Sequence, residues 1–288
     1  MPSNEKPLIG PRTRLCMSLS ARPSPFGTRF HNRMYELLGL DYVYKAFSTT
    51  DLPAAIGGVR ALGIRGCAIS MPFKEAVIPL LDAMEASAAA IDSVNTIVND
   101  DGCLTGYNTD YIAIHDLLAA ARIDPSSPFL LRGSGGMAKA VAAALRNSGF
   151  KKGTIIARNE TTGRALAGLY GFDWASGPEG LTAPLIINAT PMGMAGPEAD
   201  MLAFDGTVIE AADYVFDVVA MPAETPLMKV AERLGKTCIS GAEVIVLQAV
   251  EQFALYTGVR PDRQIVEDAS AFSRDVAKRE LEAERQKA

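Results

Sequence analysis

Short apolar runs alternate along most of the chain with segments whose apolar positions recur every three to four residues, the mark of strands followed by helices. Arg14–Ser20, Tyr42–Phe47 and Ile64–Met71 read as strands, and Phe30–Leu38 and Leu52–Leu62 as helices. Pro72 suits the first position of a helix running to about Met84, where its missing N–H costs nothing. Asn95–Thr105 contains two short β-like pieces around Asn99-Asp100-Asp101-Gly102, a hairpin signal. A helix follows over Asp110–Ala121.

Asp124-Pro125-Ser126-Ser127-Pro128 reads as a linker, and beyond it the rhythm becomes regular. Strands are expected at Phe129–Arg132, Thr154–Ala157, Leu185–Asn188, Val215–Val218 and Lys236–Ile239. Helices are expected at Gly136–Ser148, Thr161–Tyr170 and Pro226–Leu234, and two more over Ala242–Tyr256 and Asp262–Lys287. Strands alternating with helices at this spacing predict an α/β protein with a parallel, doubly wound sheet.

Composition narrows the class. At about 100–200 residues per domain, 288 residues make room for two domains. A net charge of −5 leaves no basic excess for a nucleic-acid partner. No apolar run approaches the roughly 18–20 residues of a membrane helix, and the N-terminal MPSNEKPLIGPRTR lacks a signal-peptide core. Four cysteines without a CxxC pair and only two histidines predict no metal site and a reducing, cytoplasmic setting.

The first chemical motif is Gly133-Ser134-Gly135-Gly136-Met137-Ala138, between an expected strand and an expected helix. It fits the G-x-G-x-x-G/A fingerprint, in which the glycines allow a tight turn and close approach of a pyrophosphate to free helix N–H groups. The next strand ends in Ala157-Arg158-Asn159, where an NAD site would place a carboxylate against the ribose. A guanidinium there suits a 2′-phosphate, so the expected cofactor is NADP, with Arg164 a candidate second cation. Arg158 as an ordinary surface residue is the competing reading.

A second group lies in the N-terminal half: Ser18-Leu19-Ser20, Ser70-Met71-Pro72-Phe73-Lys74, Asn95-Thr96 and Asn108-Thr109-Asp110, each at the end of an expected strand. Ligands of open α/β sheets bind at the carboxyl ends of strands. Hydroxyls, amides, one ammonium and one carboxylate suit a small polyhydroxylated ligand. Taken singly, each also has a structural reading as a turn or helix cap or a solvated lysine.

These motifs, with Gly106-Tyr107-Asn108-Thr109-Asp110, Asn188-Ala189-Thr190-Pro191-Met192-Gly193-Met194 and Thr225-Pro226-Leu227 ahead of Gln248, stand in the same order as in shikimate dehydrogenases. The chain resembles that family from about Leu15 to Gly258. The resemblance implies a substrate-binding domain over residues 1–115, a Rossmann-type NADP-binding domain over 116–240, and C-terminal helices over 241–288 that return to the substrate domain. It implies an active site in the cleft, with Lys74 and Asp110 as catalytic pair and Ser18, Ser20, Ser70, Asn95 and Gln248 holding a hydroxy acid. Thr190, Met192 and Met194 would line the nicotinamide side. The activity implied is NADP-dependent interconversion of shikimate and its 3-dehydro form, part of aromatic amino acid biosynthesis, by a monomer or homodimer.

The chain also departs from the family pattern. Ala68-Ile69-Ser70 stands for the usual Asn-Val-Thr, removing an amide that helps hold a substrate hydroxyl. Asp217-Val218-Val219-Ala220-Met221-Pro222 lacks the usual tyrosine, and Ala157-Arg158-Asn159 replaces Asn-Arg-Thr. The serine motif is stretched, leaving Ser20 and Ser24 as alternatives, with Arg22 nearby as a candidate carboxylate contact. The combination resembles the divergent shikimate dehydrogenase-like branch. Quinate or another shikimate-like acid as substrate, or a non-catalytic NADP(H)-binding role, are the competing readings.

Overall fold

The computed structural model describes residues 6–21 and 23–285; Arg22 lies outside them. The chain divides into two compact units, Met1–Thr109 with Gln248–Ala288 (unit 1) and Asp110–Leu247 (unit 2).

Unit 1 is built on the strands β1 (Arg14–Leu19), β2 (Tyr42–Phe47), β3 (Gly66–Ile69), β4 (Ala83–Met84), β5 (Thr96–Asp100) and β6 (Cys103–Tyr107). They form one mixed sheet in the order β2-β1-β3-β5-β6-β4. Three helices come with them: α1 (Pro25–Leu37), α2 (Leu52–Ala61) and the short α3 (Ala86–Ala89). Pro25 at the start of α1 and the Asp51 carboxylate accepting the Ala54 N–H at α2 are ordinary start signals. The β5–β6 hairpin turns at Asp101 (φ 51°) and Gly102 (φ 92°), the positive-φ pair that matches strand twist.

Strand alternation sorts the two faces of this sheet. Met17, Leu19, Cys67, Ile69 and Ile97 face one apolar cluster with Leu52, Ile56 and Val59 of α2. The intervening positions meet an aromatic layer in which His31, Tyr35 and Tyr44 pack with Phe253 and Tyr256.

The expected helix from Pro72 to Met84 does not form. Turns run from Pro72 to Val77, a 3₁₀ turn covers Ile78–Leu80, and Ala83–Met84 is β4. Pro79 explains the difference: it removes a helical donor, clashes with the preceding turn and disfavours helix at Ile78.

Unit 2 begins in α4 (Thr109–Ala120) and continues β7 (Phe129–Arg132), α5 (Gly136–Asn147), β8 (Gly153–Ile156), α6 (Glu160–Tyr170), β9 (Asp173–Ala175), β10 (Leu185–Asn188), α7 (Gly206–Ala211), β11 (Tyr214–Asp217), α8 (Pro226–Arg233) and β12 (Thr237–Ser240). The sheet order is β12-β11-β10-β7-β8-β9 and every pairing is parallel. The sheet is parallel and doubly wound, as the sequence rhythm predicted, and taken from β9 it has the 3-2-1-4-5-6 order of dinucleotide-binding sheets. Leu130, Ile156, Ile186 and Val215 bury one face against Val208, Ile209, Leu227 and Ala231 of α7 and α8. The alanine-rich α5 packs close on the other face, with Ala140–Leu145 buried throughout. Short β9 and α7 went unread in the sequence because each is under seven residues and has no full amphipathic period.

The chain closes with α9 (Gly241–Thr257) and α10 (Arg263–Arg285). From Gln248 onward they belong to unit 1, as expected of the C-terminal helices. Tyr256 packs on the bare backbone of Gly66, where any Cβ would fall 2.2 Å from its ring. The Arg33 guanidinium of α1 bonds Asp268 of α10 at 2.8 Å. Among the described residues no helix is long and apolar enough to cross a membrane.

Candidate functional site

In unit 1 the sheet places its polar residues in register. Ser18 pairs with Ala68 and Ala68 with Thr96, so the three share one face, with Ser20 and Ser70 extending their rows beyond the strand ends. Ser18 is half-buried beside the Tyr44 hydroxyl, Ser20 is buried and Ser70 is exposed. Ala68, the position of the missing amide, therefore stands between Ser18 and Thr96. Ser24, the alternative to Ser20, accepts the Phe26 N–H at 3.3 Å and caps α1.

Asn95, just before β5 and 3% exposed, is the hub of this unit. Its Oδ1 accepts the Thr109 backbone N–H at 2.8 Å and the Thr96 hydroxyl at 2.8 Å. Those bonds fix the amide so that its carbonyl faces the protein. Its two Nδ2 donors have no partner among the described residues. The Thr109 hydroxyl reaches the Gln248 Oε1 at 3.3 Å. One turn further along α9, Gln252 donates to the Thr96 hydroxyl at 3.0 Å. Sequence reasoning missed Gln252, although its i+4 spacing from Gln248 puts the two on one helix face. Lys74 is half-buried, and its carbonyl accepts the Val94 N–H at 2.9 Å, which seats its backbone beside Asn95.

Asp110, nearly buried, lies in the first turn of α4, where the helix dipole favours a carboxylate.

Unit 2 carries a cavity of about 290 Å³ at the carboxyl ends of β7, β8 and β10. Gly133, Ser134 and Gly135 form one wall, Ala157, Arg158 and Asn159 another, and Ala189, Thr190, Pro191 and Met192 a third. Gly133 has φ 127°, and a Cβ there would fall 2.7 Å from the Ala189 carbonyl oxygen, so only glycine fits. No side chain caps α5, whereas Asn159 caps α6 and Thr225 caps α8. The first N–H groups of α5 are thus left for an anion. Ala138 is buried beneath the turn, as a small third position requires. Gly136 and Met137 follow in the first turn of α5 outside the cavity wall.

The loop after β10 is held from below. Asn188 Oδ1 accepts the Thr190 N–H and hydroxyl, and Asn188 Nδ2 donates to the Met192 carbonyl and to Asp217. Asp217 also accepts the Thr225 hydroxyl at 2.6 Å and the Val219 N–H. Burial raises the Asp217 pKa, and these three donors oppose the shift. Met192 lines the cavity; Met194 is 45% exposed and outside it. Arg158 is exposed and lines the cavity. Arg164 does not join it: its guanidinium bonds Glu160 at 2.7 Å and stacks on Trp174 at 4.2 Å. Arg132, the last residue of β7, lines the cavity and was missed. Its signal was a cation directly before the glycine turn.

A glycine turn under an uncapped helix, at the centre of a parallel sheet in this strand order, defines a dinucleotide-binding unit. The family model for the shikimate dehydrogenase substrate binding domain matches residues 23–97. A shikimate dehydrogenase-like protein of Haemophilus influenzae is 55% identical over 93% of this chain and 99% of its own length. The structure of a Thermus thermophilus shikimate 5-dehydrogenase in complex with NADP(H) and shikimate has a TM-score of 0.80 at 29% identity, over 90% of this chain and 99% of that one. A Corynebacterium glutamicum quinate dehydrogenase in complex with NAD gives 0.82 at 29% identity, over 90% and 98%. The chain belongs to the shikimate dehydrogenase family, on its divergent shikimate dehydrogenase-like branch.

Proposed function

We propose that this protein is an NADP-dependent oxidoreductase that interconverts shikimate, or a shikimate-like hydroxy acid, and its 3-dehydro form. The observation that carries the cofactor choice is Arg158, which lines the same cavity as the glycine turn where an NAD site would carry a carboxylate. The residues present fit a dinucleotide: Gly133 to Gly135 and the uncapped α5 would hold its pyrophosphate, Arg158 and Asn159 its adenosine end, and Thr190 and Met192 its nicotinamide side, with Met194 beyond the cavity wall. When bound, the nicotinamide supplies or accepts the hydride.

In unit 1, Ser18, Ser20, Ser70, Asn95 and Gln248 bind the acid. The unpartnered Nδ2 donors of Asn95 suit a hydroxyl oxygen. Lys74 delivers a proton to the carbonyl oxygen during reduction and removes it during oxidation, and Asp110 binds the hydroxyl on which that proton moves. Kinship with the shikimate complex of the Thermus protein supports the substrate class.

A second reading has quinate or another shikimate-like acid as substrate. Ala68 favours it: the row Ser18–Ala68–Thr96 lacks the amide that would bond a substrate hydroxyl, and its shorter side chain suits a different substituent. Initial rates with NADP and each acid in turn decide between them. NADP-dependent turnover of shikimate above that of quinate supports the first reading, and the reverse order supports the second. NADPH binding without turnover of either acid contradicts both.

A further inference from the structure

Packing alone gives no reason for a cation at Arg132. Its register partners are Ile156 of β8 and Asn188 of β10, both buried. Strand alternation puts it on the same face as Leu130, over the apolar cluster that holds Ala203 and Phe204. One N–H, at Nη1, donates to the Ala203 carbonyl. A guanidinium has five N–H donors in a planar fork. The bond to Ala203 tethers one of them and leaves the rest without a partner among the described residues.

Arg132 shares its cavity with Arg158, which lies two residues beyond Ile156 on the neighbouring strand. Burial lowers the Arg132 pKa and the Arg158 charge lowers it further, while Glu179 opposes both. Two guanidinium groups at one cavity repel each other, and an anion placed between them converts that repulsion into two charge-assisted pairs. Glu198 also lines the cavity and Glu179 acts on Arg132, so the two carboxylates offset part of that repulsion.

We propose that Arg132 is a second phosphate-binding arginine, which with Arg158 holds the 2′-phosphate of NADP(H) and sets the preference for NADP(H) over NAD(H). The inference rests on reading unit 2 as an NADP(H) site. The location agrees with the chemistry: the 2′-phosphate belongs at the carboxyl end of the second strand of such a sheet, here β8, beside which Arg132 stands.

The test is fluorescence titration of NADPH and NADH into the wild type, Arg132→Gln, Arg132→Lys and Arg158→Gln. Arg132→Gln is expected to weaken NADPH by about tenfold or more while NADH binding stays within about twofold. Arg132→Lys, which keeps the charge and loses the fork, is expected to fall between and serves if Arg132→Gln does not fold. Equal weakening of both cofactors would overturn the proposal by making Arg132 a structural tether of Ala203. Unchanged NADPH binding would overturn it directly. A wild type that takes up no NADPH removes the reading of unit 2 itself, a result distinct from either.

Discussion

The Asn95 side-chain oxygen and the Thr109 backbone N–H stand 2.8 Å apart, and that bond ties the start of β5 to the start of α4. The same oxygen takes the Thr96 hydroxyl, so the asparagine is fixed before any ligand arrives. Asn95→Ala leaves a buried N–H and a buried hydroxyl short of their acceptor. The expected cost is about 1–3 kcal/mol of stability, measured by urea unfolding, together with a loss in kcat/KM from the missing Nδ2 donors.

Gly133→Ala tests the turn of unit 2. A methyl group there meets the Ala189 carbonyl at 2.7 Å on a backbone with φ 127°. The turn must shift or the chain loses about 1–3 kcal/mol, and either result weakens NADPH binding in a titration. Gly168→Ala in α6, away from the cavity, meets nothing within 4 Å and serves as the neutral control.

Ala68→Asn restores the amide between Ser18 and Thr96. If shikimate is the substrate, one regained hydrogen bond raises kcat/KM for it by about tenfold. If the pocket is shaped for another substituent, the asparagine fills that space, and activity on the true substrate falls when the acids are assayed side by side.

His31 gives stability a defined pH dependence. The ring is fully buried, stacked on Tyr44 with centroids 4.5 Å apart. Neither ring nitrogen has a partner at bonding geometry among the described residues, although the nearby Gln252 amide opposes the shift. Burial lowers its pKa from the ordinary 6.5 to about 3. Between those values the unfolded chain binds the proton and the folded chain does not. Stability therefore falls as pH drops from 6.5 to about 3, by up to about 1.4 kcal/mol per pH unit, with no contribution above that window. His31→Phe, compared with wild type in urea unfolding at pH 7 and pH 4.5, is expected to lose less stability on acidification.

The regular βαβ part of the chain was legible because its strands and helices are long enough to show a period and are punctuated by glycine and proline. β7 and β10 carry the boundaries read from sequence. The Pro72–Met84 helix does not form because Pro79, a stop signal inside the same run, overrides Pro72 as a start signal. Residue types at strand ends marked Asn95, Lys74 and Asp110, but not that the Asn95 oxygen is committed to Thr96 and Thr109. That arrangement depends on which residues the sheet brings opposite one another. Gln252 and Arg132 were missed for the same reason, since their partners Thr96 and Ala203 lie 156 and 71 residues away. Arg164, a cation at helical distance from the cofactor motif, was claimed instead by Glu160 and Trp174.

NADPH formation from NADP and shikimate at saturating levels, for wild type and Lys74→Ala in parallel, tests the central claim. Turnover by the wild type that falls by about a hundredfold or more in Lys74→Ala, with NADPH affinity unchanged, is the expected result. Equal turnover by both proteins would contradict it, as would a wild type that binds NADPH and turns over neither shikimate nor quinate.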